Sequence, residues 1–272
     1  MPFCTFATLL FHFATALLCN FMPFTLSHAV LAPVLSRLSR GHLPIAALAI
    51  GCMTPDLYRL FTPASIMLAH QWSGLLFPNL PIGLLFCVLW YLLYRPVIYD
   101  FLGLQHDLKI KSFDDAVAFI FMSCLAIILG AATHLIWDGL THLDFRSFAF
   151  QDFLGKNVAL LGRDYLVHFI LQIGCSVLAL PLLYWQCLSY YRRHKHTVPV
   201  AINTQRFAYA SLLVASLAGA LSVLDYQRYI TAEVWQRESY FFIGKAINEF
   251  TQTALTIFTA ACVLWRCLSR TA

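Results

Sequence analysis

The chain has 272 residues, of which 60% are hydrophobic and 11% are charged, and its mean hydropathy is +0.71. Soluble domains carry about 25% charged residues, so this composition excludes an ordinary soluble protein and predicts a multi-pass membrane protein whose main partner is the lipid bilayer. The net charge of +5 does not indicate a nucleic-acid partner. The densest group of positive charges is Arg192-Arg193-His194-Lys195-His196, which directly follows an apolar run. Cytoplasmic loops of membrane proteins carry their positive charges in this position.

The first residues form an apolar stretch, Met1–Phe21, that has no charged side chain. A signal peptide would carry a basic start and a small-residue cleavage site, and neither is clear here. We therefore expect either an extra helix or a spurious start. The second alternative arises because the sequence Met22–His28 looks like a beginning in its own right.

The next part of the chain is divided into pieces too short to cross a bilayer. Phe24–Arg40 is followed by a break at Gly41–Pro44, and the apolar run Ile45–Met53 stops just before Pro55. A membrane span needs about 20 residues, so these pieces indicate short broken or re-entrant helices packed against protein. Since proline disfavours helix at the preceding residue, we expect a helix end before Pro55 and Asp56 at a helix start or turn.

Five longer apolar segments follow a less regular stretch, Leu60–Asn79. They are Leu80–Tyr99, Ala116–Trp137, Leu166–Tyr191, Phe207–Leu224 and Phe250–Trp265, separated by polar loops that include Asp138–Asp164 and Asp225–Glu249. The prediction is an all-α polytopic membrane bundle of about five to seven transmembrane helices, forming one membrane domain over residues 22–272. No coiled coil or internal repeat indicates an oligomeric state. The positive-inside rule places Arg192–Arg206 in the cytoplasm and Asp138–Asp164 on the outer face, consistent with a cell inner membrane.

Two histidines and a carboxylate lie at the end of the cleanest span, in the pattern His134-x-x-x-Asp138-x-x-x-His142. Each step of four residues on a helix advances about 400°, so the three side chains drift only about 40° per step and share one face. Imidazole and carboxylate groups are ligands of zinc and other first-row divalent metals. The alternative for His134 and Asp138 is a pair that satisfies itself inside the bundle.

Three further polar residues interrupt apolar surroundings: His28, Asp56 and His70. Ionisable groups at membrane depth are expensive, and usually mark function or a pair. The candidate metal ligands are therefore His28, Asp56, His70, His134, Asp138 and His142, and the candidate catalytic carboxylates are Asp56 and Asp138. Asp56 has the alternative role of a helix N-cap, and His28 that of a histidine in a first helical turn. His168 and Gln172 share a face and are candidates for orienting a ligand.

The order of four motifs resembles that of a bacterial membrane-protein family catalogued as a domain of unknown function, DUF4184. The motifs are Met22–His28, Gly51–Asp56, Leu80–Gly83 and Thr133–Asp138 with Thr141-His142. The resemblance covers roughly Met22 to Tyr191, with a weaker continuation, and members tend to begin at the equivalent of Met22. The pattern is also similar to that of membrane-bound metal-dependent hydrolases assigned by motif. It departs from them at His70-Gln71-Trp72-Ser73, where they carry His-Ser.

The leading hypothesis is a metal-dependent hydrolase at the membrane boundary. His28, His134 and one carboxylate would hold a divalent metal, with zinc expected first, and the other carboxylate would act as general base. The outer-face position indicates a lipid-linked or amphiphilic ester or phosphodiester as substrate. Two alternatives remain: an ion- or proton-coupled transporter that uses the same side chains as a relay, and a non-catalytic membrane scaffold.

Overall fold

The fold follows from the apolar runs of the chain, because nearly every one of them forms a helix. A computed structural model describes residues 23–60, 67–160 and 162–271, so the expected extra helix or spurious start at residues 1–21 lies outside the described residues. The α-helices are α1 (Pro23–His28), α2 (Ala32–Leu38), α3 (Ile45–Leu57), α4 (Asn79–Leu89), α5 (Arg95–Leu102), α6 (Phe113–Thr141), α7 (Gln151–Leu154), α8 (Val167–His194), α9 (Ile202–Gln227) and α10 (Ala232–Thr271). The predicted all-α class is confirmed, with one short antiparallel hairpin of β1 (Asn157–Leu160) and β2 (Arg163–Leu166) added to it.

Within the residues that the structure describes, five helical segments are long and apolar enough to cross a membrane. They are Trp72–Leu102, Phe113–Thr141, Val167–His194, Ile202–Gln227 and Phe242–Ser269. Each overlaps one of the predicted spans, which confirms the polytopic bundle, and the chain is a multi-pass membrane protein. A helix suits this role because all its backbone polar groups bond within the segment, where no water is available.

The prediction of a polar loop at Asp225–Glu249 is wrong over most of its length. Helix α9 ends at Gln227 and α10 already begins at Ala232, so only a short connection separates them. Hydropathy marks the part of a helix that is apolar enough for lipid, and it does not distinguish a polar helical extension from a loop. The candidate span inside α10 accordingly starts ten residues into the helix, at Phe242.

The N-terminal part of the described chain consists of short helices, as predicted. Helices α1 and α2 are joined by the 3₁₀ turn Ala29–Leu31, and further 3₁₀ turns cover Met67–His70 and Trp72–Leu75. Helix α3, at 13 residues, is too short to cross a bilayer by itself. The prediction of broken helices in this region is therefore confirmed.

The expected helix end before Pro55 is wrong, because α3 continues through Pro55 to Leu57. Proline within a helix removes one backbone bond and crowds the carbonyl four residues earlier. Here Pro55 lies in the last turn of α3, and Thr54 adds a side-chain hydrogen bond from its Oγ1 to the carbonyl of Ile50, at 2.8 Å. Asp56 therefore projects from a helix and not from a turn.

The described residues form two compact units, and the expected single membrane domain over residues 22–272 stays a prediction. One unit comprises residues 23–87 and 108–187, with α3 and α6 packed extensively along each other at its centre. Their contact is close because glycines face backbone: a Cβ built at Gly51 would lie 2.4 Å from the carbonyl oxygen of Ile127. A Cβ at Gly130 would lie 2.5 Å from the carbonyl oxygen of Leu48.

Helix α6 begins with a capping box in which Ser112 Oγ accepts a hydrogen bond from the backbone N–H of Asp115, at 3.1 Å. The Asp115 carboxylate accepts one from the Ser112 N–H in return, at 3.0 Å. The helix then runs to Thr141, four residues beyond the predicted end at Trp137. This extension keeps Asp138 on the same helix as His134.

The other unit comprises residues 88–107 and 188–272. Its core is formed by α5, α9 and α10 and contains Tyr94, Val97, Phe101, Ala208, Leu212 and Cys262. The predicted interruption at Arg95-Pro96 takes the form of a π-helical turn, Trp90–Tyr94, immediately before α5. A widened turn accommodates Pro96, which has no N–H to donate to the preceding turn.

Candidate metal centre

The predicted polar residues of the first unit converge on one point. His28 ends α1, Asp56 lies in the last turn of α3, and His70 ends the 3₁₀ turn Met67–His70. His134 and Asp138 lie one turn apart near the end of α6. Their side chains are almost completely buried: His134 is 1% exposed and Asp138 is 3% exposed. Residues far apart in sequence thus form one cluster, which we call the His–Asp cluster.

Asp138 lies at the centre of this cluster. Its Oδ2 is 3.4 Å from His134 Nε2 and 3.8 Å from His70 Nε2, and its Oδ1 is 3.8 Å from His28 Nε2. The second carboxylate, Asp56, has Oδ1 3.3 Å from His70 Nε2 and Oδ2 3.9 Å from His134 Nε2. Three imidazole nitrogens and two carboxylates therefore face one another over a few ångströms.

The orientation of the His134 ring is set by one backbone contact. Nδ1 lies 2.8 Å from the carbonyl oxygen of Cys52, and because a carbonyl only accepts, Nδ1 carries the hydrogen. In the neutral ring Nε2 then holds a lone pair, and it points towards the carboxylates of Asp56 and Asp138. This buried nitrogen has no hydrogen-bond partner among the described residues. A lone pair facing carboxylate oxygens is repulsive unless a cation lies between them or Nε2 takes up a proton.

The spacing of these atoms suits a shared cation. Ligand atoms about 2.0–2.2 Å from a zinc ion lie about 3.3–3.6 Å from one another in a tetrahedral site. The nitrogen–oxygen separations in the cluster run from 3.3 to 3.9 Å. In the described part of the chain two sets of donors lie close enough to hold an ion, His28 with His134 and Asp138, and Asp56 with His70 and His134. Both sets use His134 Nε2, so they describe one centre with alternative ligand combinations.

The rings of the cluster also pack on one another. His28 stacks on His134 with ring centroids 4.0 Å apart, and His70 meets His134 edge-on with centroids 5.4 Å apart. Trp137 lies edge-on to His28, at 6.1 Å. These contacts limit the rotation of the imidazoles and hold their Nε2 atoms towards the carboxylates.

His142 lies next to the cluster, at the C-cap of α6, where the backbone becomes extended. Its Nδ1 is 3.5 Å from Asp138 Oδ1, but among the described residues it belongs to neither set of close donors. Burial lowers the pKa of His142, and the nearby Asp138 carboxylate opposes this shift. The helical spacing therefore places His142 beside the shared carboxylate, at the more exposed end of the cluster.

Arg146 is a member of the site that the sequence patterns missed. Its Nη1 donates to Asp138 Oδ2 at 3.0 Å, while Nε and Nη2 donate to the two oxygens of Asp144. Burial opposes ionisation of Asp144, but the hydrogen bonds from Arg146 outweigh it and lower the pKa of this carboxyl group. A signal was available, because a carboxylate at membrane depth needs a cation and Arg146 is the nearest arginine along the chain.

Two polar residues support the ligand candidates from outside the cluster. Thr25 Oγ1 donates to Asp56 Oδ2 at 2.6 Å, and lies one turn before His28 in α1. Thr25 was not among the predicted site residues, although residues three apart on a helix share a face. Gln172, a predicted orienting residue, donates from Nε2 to the carbonyl of Thr141 at 3.1 Å and lies 3.2 Å from His168 Nδ1. It therefore holds the end of α6, and does not touch the cluster ligands in these contacts.

Fold and cluster together define a multi-pass α-helical membrane protein with His and Asp side chains positioned to hold a metal ion. The chain belongs to the family described as Domain of unknown function (DUF4184), whose family model matches residues 22–269. No curated protein and no solved structure matches the chain. The resemblance predicted from the motif order is thus confirmed at the level of the family.

Proposed function

We propose that this protein is a metal-dependent hydrolase whose centre is the His–Asp cluster. One observation carries the proposal: the buried Nε2 of His134 has no hydrogen-bond partner among the described residues, yet faces two carboxylates. A cation between these groups would use the lone pair and compensate both negative charges. Imidazole and carboxylate donors suit zinc, iron or manganese, and zinc is the first expectation.

The residues divide into roles by their surroundings. His28, His134 and Asp138 supply three ligands of the type found in catalytic zinc sites, which leave a further position open. A divalent ion held there lowers the pKa of a water molecule towards neutrality. Asp56, which is more exposed than Asp138 and receives a hydrogen bond from Thr25, is the proposed proton acceptor. His70 orients Asp56 or provides a further ligand.

The proposed reaction is the hydrolysis of an ester or phosphoester of an amphiphilic molecule. The water oxygen bonds to the electrophilic carbon or phosphorus, and the bond to the alcohol oxygen breaks. Asp56 takes up the proton of the water and returns it to the departing alcohol oxygen. Atoms and charge balance without any oxidant or reductant.

Two other functions were compatible with the sequence, and the geometry favours them less. A scaffold would place each His and Asp against a local partner, because buried polar groups in native proteins are hydrogen bonded. Instead five such groups from four segments of chain meet at one point, and one nitrogen lacks a hydrogen bond. A transporter would need polar groups along a path through the spans, whereas this cluster is confined to one end of α6.

The decisive experiment is metal analysis of the detergent-purified protein by inductively coupled plasma mass spectrometry. We expect a near-stoichiometric divalent metal in the wild type and its loss in His134→Ala. The matched control is His196→Ala, which removes an exposed histidine from the other compact unit. Equal metal content in His134→Ala and wild type would contradict the proposal, provided that both melt cooperatively.

The catalytic part of the proposal needs a separate assay on the same preparations. A panel of chromogenic carboxylic esters and phosphoesters in mixed micelles should show turnover that a chelator abolishes. Asp56→Asn should retain metal and lose turnover, because the amide cannot accept the proton. If Asp56→Asn turns over as fast as the wild type, the general base is another residue. If the metal-loaded wild type turns over no substrate of the panel, the result contradicts hydrolysis.

We further propose that the protein resides in a bacterial inner membrane with the His–Asp cluster towards the outer face. The supporting observation is charge: Arg192 and Arg193 lie in the last turn of α8 and Lys195 follows it, while Lys109 and Lys111 precede α6. Positive charges are enriched in cytoplasmic loops, which directs the C-terminal end of α6 outwards. An introduced Asp152→Cys should react with a membrane-impermeant maleimide on intact cells. Reaction only after permeabilisation would reverse the orientation.

A further inference from the structure

The segment between α6 and α8, residues 143–166, exposes large aromatic side chains. Phe145, Phe148, Phe150 and Phe153 are 51%, 55%, 67% and 52% exposed. Large apolar patches on a protein surface usually mark an interaction site or membrane contact. The segment connects two helices that are long and apolar enough to cross a membrane, Phe113–Thr141 and Val167–His194.

The same segment supplies the only cation that contacts the cluster in the described part of the chain. Arg146 lies between Phe145 and Phe148, and its guanidinium carbon is 5.8 Å from the Phe145 ring centroid. The segment is tied back to α6, since the Phe148 N–H donates to the carbonyl of Gly139 and the Phe148 ring occupies the space of a Gly139 side chain. Aromatic surface and cation are therefore presented together, at the mouth of the cluster.

The guanidinium of Arg146 has more hydrogen-bond donors than its contacts with Asp138 and Asp144 use. Arginine carries five N–H groups in a planar fork. Three of its nitrogens are engaged: Nε and Nη2 donate to Asp144, and Nη1 donates to Asp138. Each Nη carries a second hydrogen, so two N–H groups remain for a ligand that approaches the cluster. Phosphate oxygens are the ligands that this fork matches best.

The charges around Arg146 admit an anion once a divalent ion is present. Asp56, Asp138 and Asp144 together with Arg146 carry a net charge of −2, which would repel an anion. A divalent ion in the cluster changes this sum to 0 and removes the repulsion. Among the described residues the cluster is also most open at this side, since the Arg146 and His142 side chains are 15% and 19% exposed whereas His134 is 1% exposed.

We propose that Arg146 binds the phosphate group of a membrane lipid, whose acyl chains contact the exposed phenylalanines of the 143–166 segment. This inference rests on the proposed hydrolase function and names its substrate class, a lipid phosphoester. The phosphate would lie between the guanidinium and the His–Asp cluster, and the acyl chains would remain in the bilayer. The site would reject neutral lipids, because they offer the fork no anion.

The test measures ligand binding and does not depend on turnover. The purified full-length protein is titrated with dioctanoyl phosphatidic acid, dioctanoylglycerol and inorganic phosphate, and complexes are quantified by native mass spectrometry. We expect phosphatidic acid to bind at least about tenfold more tightly than either of the others, a difference of about 1.4 kcal/mol. Arg146→Gln should remove this preference, and Arg146→Lys should restore part of it, because lysine keeps the charge and loses the fork. Arg192→Gln, an exposed arginine of the other unit, is the matched control.

A second variant tests the acyl-chain contact. Phe150→Ser should weaken the binding of phosphatidic acid and of dioctanoylglycerol by a similar factor, and should leave the binding of inorganic phosphate unchanged. Inorganic phosphate that binds as tightly as phosphatidic acid would overturn the lipid part of the proposal. An undiminished preference in Arg146→Gln would overturn the role of Arg146.

Metal analysis of the same samples separates this inference from the function on which it rests. An Arg146→Gln protein that keeps its metal and loses the phosphate preference supports both. A wild type that holds metal and shows no preference for phosphatidic acid overturns the substrate class and leaves the metal centre standing. A wild type without metal overturns the proposed function, and the lipid titration then tests Arg146 as a binding residue by itself.

Discussion

Replacing Gly130 by alanine tests whether the close contact of α3 and α6 builds the His–Asp cluster. Gly130 lies one turn before His134 on α6, and its Cα faces the backbone of Leu48 and Cys52 on α3. A Cβ at this position would lie 2.5 Å from the Leu48 carbonyl oxygen and 2.7 Å from the Cys52 backbone nitrogen. Both atoms belong to the backbone, so no side-chain rotation relieves the overlap and the two helices must separate.

The size of the effect follows from these distances. Ordinary van der Waals contact begins at 3.4 Å, so the helices must move apart by about 0.9 Å at this level, and overpacking of this kind typically costs about 1–3 kcal/mol. The same movement would lengthen the 2.8 Å hydrogen bond from His134 Nδ1 to the Cys52 carbonyl. His134 would then lose the contact that orients its Nε2, and we expect Gly130→Ala to be both less stable and depleted in metal.

The assay combines thermal unfolding in detergent with metal analysis, and the matched control is Gly174→Ala. Gly174 lies within α8, and a Cβ there meets no atom within 4 Å. Because alanine is a better helix former than glycine by about 0.8–1.0 kcal/mol, this control should be slightly stabilised and keep its metal. The two glycine-to-alanine changes should therefore shift the unfolding temperature in opposite directions. A Gly130→Ala protein with wild-type unfolding temperature and metal content would refute the reasoning.

Three further outcomes test other parts of the structure. A chelator should lower the unfolding temperature of the wild type, since a metal at 100 times its dissociation constant stabilises the folded protein by about 2.7 kcal/mol. The unfolding temperature of His134→Ala should not change when the chelator is added. An equal shift in both proteins would place the metal elsewhere. Thr25→Val should lower turnover by about 10–100-fold with metal content unchanged, because the proposed proton acceptor Asp56 loses its hydrogen bond from Thr25. Thr25→Ser should stay close to wild type, and equal turnover in all three proteins would exclude this role. Ser112→Ala should lower the free energy of unfolding by about 1 kcal/mol, because α6 loses its capping box, and it should leave the metal content unchanged. A loss of metal would contradict the independence of the two ends of α6.

The membrane architecture was predictable because its main determinant is local. An apolar run of about 20 residues must form a helix in a bilayer, whatever its neighbours are. The ends of the spans were less predictable, because helices continue past their apolar portions. The predicted end of α6 at Trp137 reflects the polarity of Asp138, yet in the structure the cluster and Arg146 surround this carboxylate and the helix runs on to Thr141.

The candidate site was predictable only where its geometry is helical. The four-residue spacing of His134 and Asp138 places their side chains on one face, and the structure brings their ligand atoms to 3.4 Å. The approach of His28, Asp56 and His70 depends on how separate segments pack, which no local pattern encodes. Pro55 misled the prediction for Asp56, because the local preference of proline was outweighed by the packed last turn of α3. Arg146 was missed because its role arises from a loop that folds back on α6.

The arrangement of charges bears on why this cluster exists. Each ionisable group inside a membrane costs several kcal/mol unless it is paired, and a bundle held together by apolar side chains would avoid that cost. Here Asp138 and Asp144 share Arg146, and three imidazoles point their Nε2 atoms towards Asp138. Hydrogen bonds among these groups leave His134 Nε2 unsatisfied. One divalent cation would offset the negative charge of the carboxylates and use the lone pair at once, so the proposed metal centre would account both for the composition of the cluster and for the unsatisfied nitrogen of His134.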